Sequence, residues 1–69
     1  MKEAYKKQFV VIDNTTGIPI GNQPLYTLQQ AIDRVGREER EAVRLFGIDR
    51  KEARTFFGIM NTNTGEQVL

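Results

Sequence analysis

The sequence predicts an α+β fold, a small single-layer antiparallel sheet of two hairpins in the order ββαββ with one long amphipathic helix packed on one face. Three observations carry that expectation. Phe9-Val10-Val11-Ile12 is aromatic and β-branched and runs into Asp13-Asn14-Thr15-Thr16-Gly17, a cluster of turn formers, before Ile18-Pro19-Ile20. Leu28, Ala31, Ile32, Val35, Ala42, Val43 and Phe46 fall within one broad face at 100° per residue. Arg54 to Met60 then passes through Asn61-Thr62-Asn63-Thr64-Gly65 into Glu66-Gln67-Val68-Leu69, an echo of the first pattern.

Taken in order, the first hairpin occupies residues 5–20. Pro19 lacks an N–H and belongs on an edge, and Gly21-Asn22-Gln23-Pro24 breaks the second strand. Thr27-Leu28-Gln29-Gln30 has the form of a capping box, with the threonine hydroxyl accepting from the amide of Gln30 and the glutamine reaching back. A helix follows over residues 28–46. Its apolar face stays in phase across Gly36 and Glu39, which argues for one helix of about five turns. Gly36 costs such a helix up to about 1 kcal/mol relative to alanine and so suggests close approach by another backbone. Gly47 ends the helix in the left-handed conformation, with Ile48 placed to pack back on Val43. The second hairpin occupies residues 54–69. Its likeness to the first fits either an internal duplication or the common grammar of hairpins, an aromatic and aliphatic strand closed by an Asn-Thr-Gly turn, and the grammar is the favoured reading.

A chain of 69 residues makes one domain, 1–69, and buries only about 60% of the surface its unfolded form exposes. With no cysteine and no histidine, disulfides and most structural metals are unavailable as reinforcement, which leaves self-association. The sheet pattern points the same way. Tyr5, Lys7, Phe9 and Val11 alternate with Val10 and Ile12, and Thr55, Phe57 and Ile59 alternate with Phe56 and Met60, so both faces are apolar. One helix covers one face. A second copy in a two-fold dimer is the expected cover for the other.

Chemistry is sparse. Histidine, cysteine, serine and tryptophan are all absent, so the commonest nucleophiles, neutral-pH bases and transition-metal ligands are missing. No cofactor or metal is expected, no loop has calcium-site spacing, and Asp13 with Glu66 is the only carboxylate pair worth weighing for catalysis. A binding role is favoured over an enzymatic one. The charged start, Met1-Lys2-Glu3-Ala4-Tyr5-Lys6-Lys7, precedes too few apolar residues for a signal peptide or a span, so a cytoplasmic location without membrane contact is expected. Asn14-Thr15-Thr16 is accordingly turn chemistry rather than a glycan acceptor.

Ten basic and nine acidic residues leave a net charge of +1, so any electrostatic signal must be local. The outward helix face carries Asp33, Arg34, Arg37, Glu38, Arg40, Glu41 and Arg44, with i,i+4 pairs Asp33–Arg37, Arg34–Glu38 and Arg37–Glu41. Arg37, Arg40 and Arg44 form a row suited to bidentate contact with a partner, and the interleaved glutamates favour a protein over DNA. The function expected is a small binding protein, homodimeric through the second sheet face, that regulates or inhibits a larger protein or nucleoprotein. An exposed sheet edge is the other candidate surface.

Residues 42–57, Ala-Val-Arg-Leu-Phe-Gly-Ile-Asp-Arg-Lys-Glu-Ala-Arg-Thr-Phe-Phe, resemble the helix-turn-helix of Fis-type DNA-binding domains. That resemblance implies Gly47 as the turn glycine, Ala53 as the interior small residue and Phe56 as the anchor. Arg50, Lys51, Arg54 and Thr55 would face the major groove, with Asp49 and Glu52 capping the recognition helix. It implies a transcriptional regulator with nucleic acid as partner. The two readings give residues 49–60 opposite structures, and the in-phase helix and the Asn-Thr-Gly turn favour the strand.

Overall fold

The computed structural model describes residues 5–69, so the reading of Met1 to Ala4 lies outside it. Two strands, β1 (Phe9–Asp13) and β2 (Phe57–Asn61), pair antiparallel and are joined through a long helix α1 (Leu28–Phe46) and a short one α2 (Arg50–Arg54). The fold is α+β, with one long helix on a two-stranded antiparallel sheet. The expected ββαββ order is reduced, because the return arm of each hairpin contributes one isolated bridge, Ile12 with Pro19 and Met60 with Gln67. In the first arm the cause is local. Pro19 has no N–H to give, and Gly21, at φ +54°, turns the chain away immediately after Ile20.

The register is Phe9 with Asn61, Val10 with Met60, Val11 with Ile59, Ile12 with Gly58 and Asp13 with Phe57. Val11 and Ile59 lie on a local pseudo-two-fold axis that relates residue i to residue i+48, the separation of those two residues. The relation governs the turns. The Gly17 amide donates to the Asp13 carbonyl and the Gly65 amide to the Asn61 carbonyl, both at 2.7 Å, with φ of +74° and +76° at the glycines. Asp13 Oδ1 accepts from the Thr15 amide as Asn61 Oδ1 does from that of Asn63, and the Thr16 and Thr64 hydroxyls accept from the amides of Ile18 and Glu66. It also extends past the turns, since the Asn14 amide donates to Phe56 and the Thr62 amide to Gln8. Any antiparallel ladder carries such a local two-fold, and here the ladder and both turns obey it together, with Phe9 corresponding to Phe57.

α1 begins at the expected capping box, with the Gln30 amide donating to Thr27 Oγ1 (3.2 Å) and the Thr27 amide to Gln30 Oε1 (3.0 Å). It ends at Gly47, φ +66°, whose amide donates to Val43. Its apolar stripe packs on the side of the sheet that bears Phe9, Val11 and Ile59; Ala31 and Val35 join them in the core, with Ile20, Tyr26, Leu28 and Phe57 at its margin. Val11, Ile59 and Ala31 are fully buried, and at about 25 cal/mol per Å² each of the two larger side chains contributes roughly 1.5–3 kcal/mol. Phe46, read as part of the stripe, is 69% exposed because the helix, about 28 Å long, overruns the five-residue strands.

Three expectations are corrected here. On the second sheet face Val10 and Ile12 are 5% and 2% exposed within the single chain, so these two do not need the second copy that was expected to cover them. Residues 50–54 are helical rather than the start of a strand, because Asp49 Oδ1 caps the Glu52 amide at 2.8 Å and Ala53 is fully buried. Gly36 is not a point of backbone contact; a Cβ there would meet only the Arg40 guanidinium, at 3.7 Å.

Gly58 is the glycine the packing requires. A Cβ on it would stand 2.5 Å from Asn14 Oδ1 and Gln67 Nε2 and 2.9 Å from the Leu69 carbonyl. Those groups bond to one another and to the strand ends, as Asn14 Nδ2 donates to Thr55 and Phe57 and Gln67 Nε2 donates to Asn14 and Leu69. Gly58→Ala is expected to lower stability by about 1–3 kcal/mol, while Gly36→Ala raises it by up to about 1 kcal/mol. Urea denaturation of the two variants beside the parent measures both, and the opposite signs distinguish a packed glycine from a free one.

Candidate functional site

Two surfaces converge on α1. The first is built around Glu39, which sits in the buried stripe with Ala31, Val35 and Ala42 although its side chain is charged. A lone buried carboxylate is costly, so it must be paired. α2 supplies the partners, with Arg50 Nε donating to Glu39 Oε1 at 2.9 Å and Arg54 Nε 3.7 Å from Oε2. The carboxylate thereby fastens the short helix to the long one and sets the wall of a groove between α1 and the outer edge of β2. That groove has a volume of about 550 Å³ and is lined on α1 by Ile32, Val35, Gly36 and Glu39, and opposite by Asn14, Arg54, Phe57, Gly58 and Leu69.

The second surface is the outward face of α1. Arg34 is committed inward, its Nε donating to Glu38 at 2.7 Å and its Nη1 to the Tyr26 hydroxyl at 2.7 Å. The Glu38 hydrogen bond, reinforced by Tyr26, raises its pKa above the ordinary arginine value against the opposing effect of burial. Arg44 pairs with Glu41 at i,i+3. Of the three expected i,i+4 pairs only Arg34–Glu38 forms among the described residues, which leaves Arg37 and Arg40 without an acidic partner there. Arg37 lines a shallower hollow of about 310 Å³ with Pro24, Leu25 and Tyr26, and Arg40 stands beside Gly36 at the rim of the deeper groove.

The residues that the Fis-type resemblance sends to a DNA groove are placed otherwise. Helix α2 has five residues, and Phe57–Asn61 is strand, so no recognition helix extends beyond Arg54. Arg50 and Arg54 turn toward Glu39, the Thr55 hydroxyl donates to the Glu52 carbonyl, and Lys51 is exposed. Asp13 and Glu66 are not brought together. Asp13 opposes Phe57 and Glu66 bonds to Asn61, four residues further along β2, or about 13 Å. Among the described residues no three acidic side chains group as they would around a metal ion. No helix among them is long and apolar enough to cross a membrane.

Three contributors escaped the sequence reading. Glu39 was in phase with the apolar stripe, and that phase was the signal. Tyr26 bridges to Phe9 through amide and carbonyl, at 2.9 and 2.8 Å, and the Gln23 side-chain amide completes the outer edge of β1 by accepting from the Val11 amide and donating to its carbonyl, both at 2.9 Å. Nothing in the local pattern of Gly21 to Tyr26 marks either role.

No protein-family profile, curated protein or solved structure matches this chain.

The Glu39 cluster makes a specific demand on stability. Arg50→Ala leaves the buried carboxylate with only Arg54, 3.7 Å away, and is expected to cost about 1–3 kcal/mol, whereas Glu39→Met removes the charge, lets both arginines turn into water and changes stability by less than about 1 kcal/mol. Chemical denaturation of the two variants measures the contrast, and an equal loss in both would show that the pair itself, rather than the stranded charge, carries the energy.

Proposed function

We propose that this chain is a small non-enzymatic binding protein, a regulator or inhibitor that acts by occupying a larger protein or nucleoprotein, and that the outward arginines of α1 face that partner. The observation that carries the reading is the state of Arg37 and Arg40. Arg34, Arg44, Arg50 and Arg54 each meet a carboxylate, while these two neighbours meet none among the described residues and stand exposed between two hollows. Uncommitted guanidinium groups carry no internal pairing to give up on binding, and each offers a planar fork to a carboxylate or phosphate. Arg44 extends the row by one turn and exchanges Glu41 for a partner carboxylate at small cost, since exposed pairs are worth little.

Alanine at Arg37, Arg40 and Arg44 keeps the helix, alanine being its best former, and so separates binding from folding. A partner is first identified by cross-linking in cell extract and then measured as a purified pair by calorimetry. The triple variant is expected to melt like the parent and bind at least tenfold more weakly; unchanged affinity removes the row from the interface. A duplex DNA titration at two salt concentrations serves the competing view, which requires affinity that falls steeply with salt and vanishes on Arg50→Ala with Arg54→Ala.

A further inference from the structure

Tyr26 is fastened at both ends. Its amide donates to the Phe9 carbonyl at 2.8 Å and its carbonyl accepts from the Phe9 amide at 2.9 Å, which ties the residue to the outer edge of β1. Its hydroxyl oxygen accepts from Arg34 Nη1 at 2.7 Å, which ties the ring to α1. Arg34 is held in turn by Glu38, and its side chain is only 20% exposed. The wall between sheet edge and helix is therefore in place before anything binds. Its hydrogen-bonding capacity is lopsided. Arg34 has N–H groups beyond those that Glu38 and Tyr26 receive, and no group among the described residues accepts the Tyr26 O–H hydrogen. A charged donor on the phenol oxygen strengthens that O–H as a donor.

The wall faces the shallow hollow of about 310 Å³ that Arg37 and Lys7 also line, with Pro24 and the half-exposed Leu25 as its apolar side. The acceptors there are engaged. Gln30 Oε1 takes the Thr27 amide, and Asp33 Oδ1 takes the Gln29 side chain. Lys7 and Arg37 meet no carboxylate among the described residues. Unspent donors thus dominate, and an anion satisfies them. Three cations stand against Asp33 and the Glu38 that holds Arg34, which leaves one positive charge. One carboxylate matches it, whereas a phosphate group, at about −1.5 to −2 at pH 7, exceeds it. Pockets for free small molecules begin near about 300 Å³ and enclose their ligand, so a shallow hollow of this size suits one side chain of a larger molecule.

We propose that this hollow receives an acidic side chain of a partner polypeptide, its carboxylate meeting Arg37, Lys7 and the Tyr26 hydroxyl while a neighbouring apolar side chain rests on Pro24 and Leu25. Charge complementarity selects the occupant, and the apolar rest beside it selects among acidic segments. This inference rests on the reading of the chain as a binding protein and names the chemistry of its partner.

Acetylated and amidated Leu-Glu-Leu is the probe, with Leu-Gln-Leu as its uncharged twin and Leu-phosphoserine-Leu as the more highly charged one. Titrated at millimolar concentration into isotope-labelled protein, the glutamate peptide is expected to shift the Leu25 and Tyr26 amides and the Arg34 and Arg37 Nε signals. It is expected to bind about fivefold more tightly than the glutamine peptide, by a margin that shrinks in salt. Leu25→Asp sets a carboxylate over the hollow from an exposed position and abolishes the shifts. Tyr26→Phe keeps the ring and the backbone bridge and weakens binding about threefold. No shift, equal binding of the charged and uncharged peptides, or full binding by Leu25→Asp overturns the proposal. Tighter binding of the phosphopeptide overturns it in favour of phosphate. Shifts of the same signals without peptide overturn it too, in favour of a second copy if they follow protein concentration and of the chain's own start if they follow Glu3→Gln. The partner affinity separates this inference from the reading beneath it. Loss of affinity on the alanine row with full affinity in Leu25→Asp and Tyr26→Phe refutes the hollow alone, whereas loss in those two with none on Arg40→Ala and Arg44→Ala upholds the hollow and refutes the longer row.

Discussion

Everything in this small fold hangs on the antiparallel pairing of β1 with β2, strands separated by most of the chain. Neither hairpin arm is long enough to make a sheet by itself, and each contributes one bridge. Pairing Val11 with Ile59 brings two β-branched side chains together on the face that α1 covers, where both are fully buried. The helix is thus cover and connector at once. Its capping box fixes where it starts, Gly47 fixes where it stops, and the nineteen residues between return the chain to the sheet. The entropy of closing so long a connection is offset by a core in which sheet and helix bury the same few residues.

The features legible in the sequence are those set by a few adjacent residues. Thr27 with Gln30, Gly47, and the two turns closed by Gly17 and Gly65 are local chemistry, and each is where the pattern put it. Features set by distant neighbours were not legible. Asp49 and Ala53 form a turn of helix because α1 is there to receive them, and in isolation the same residues run equally well into the apolar stretch that follows. The burial of Val10 and Ile12 belongs to the same class. Alternation says which face a residue points to and nothing of what lies over it. The candidate site divides likewise. The row Arg37, Arg40 and Arg44 is plain from helical spacing, whereas the commitment of Arg50 and Arg54 to Glu39 depends on how two helices meet.

Glu39 shows how a charged residue in an apolar stripe shapes what surrounds it. Burial obliges it to recruit cations, and the nearest suitable ones lie on the segment after Gly47. Recruiting them folds α2 back along α1 and walls the groove beside β2. What remains on that face is a short list of cations with nothing assigned to them. Glu39 thus commits Arg50 and Arg54, as Glu38 commits Arg34 and Glu41 pairs with Arg44, and Arg37 and Arg40 are left without an acidic partner among the described residues.

The axis through Val11 and Ile59 has a consequence for assembly from the unfolded chain. Because β1 and β2 are interchangeable at the level of backbone bonding, β1 of one molecule is a competent mate for β1 of another, Val11 against Val11, with both turns in register. In a dilute chain the tethered strand wins by proximity. At high concentration, before α1 has docked, pairing between molecules competes with closure within one, and the product is a β1-to-β1 ladder that has the native backbone geometry with the wrong strand partner. The symmetry that makes so small a sheet possible thus makes it sensitive to crowding by its own kind.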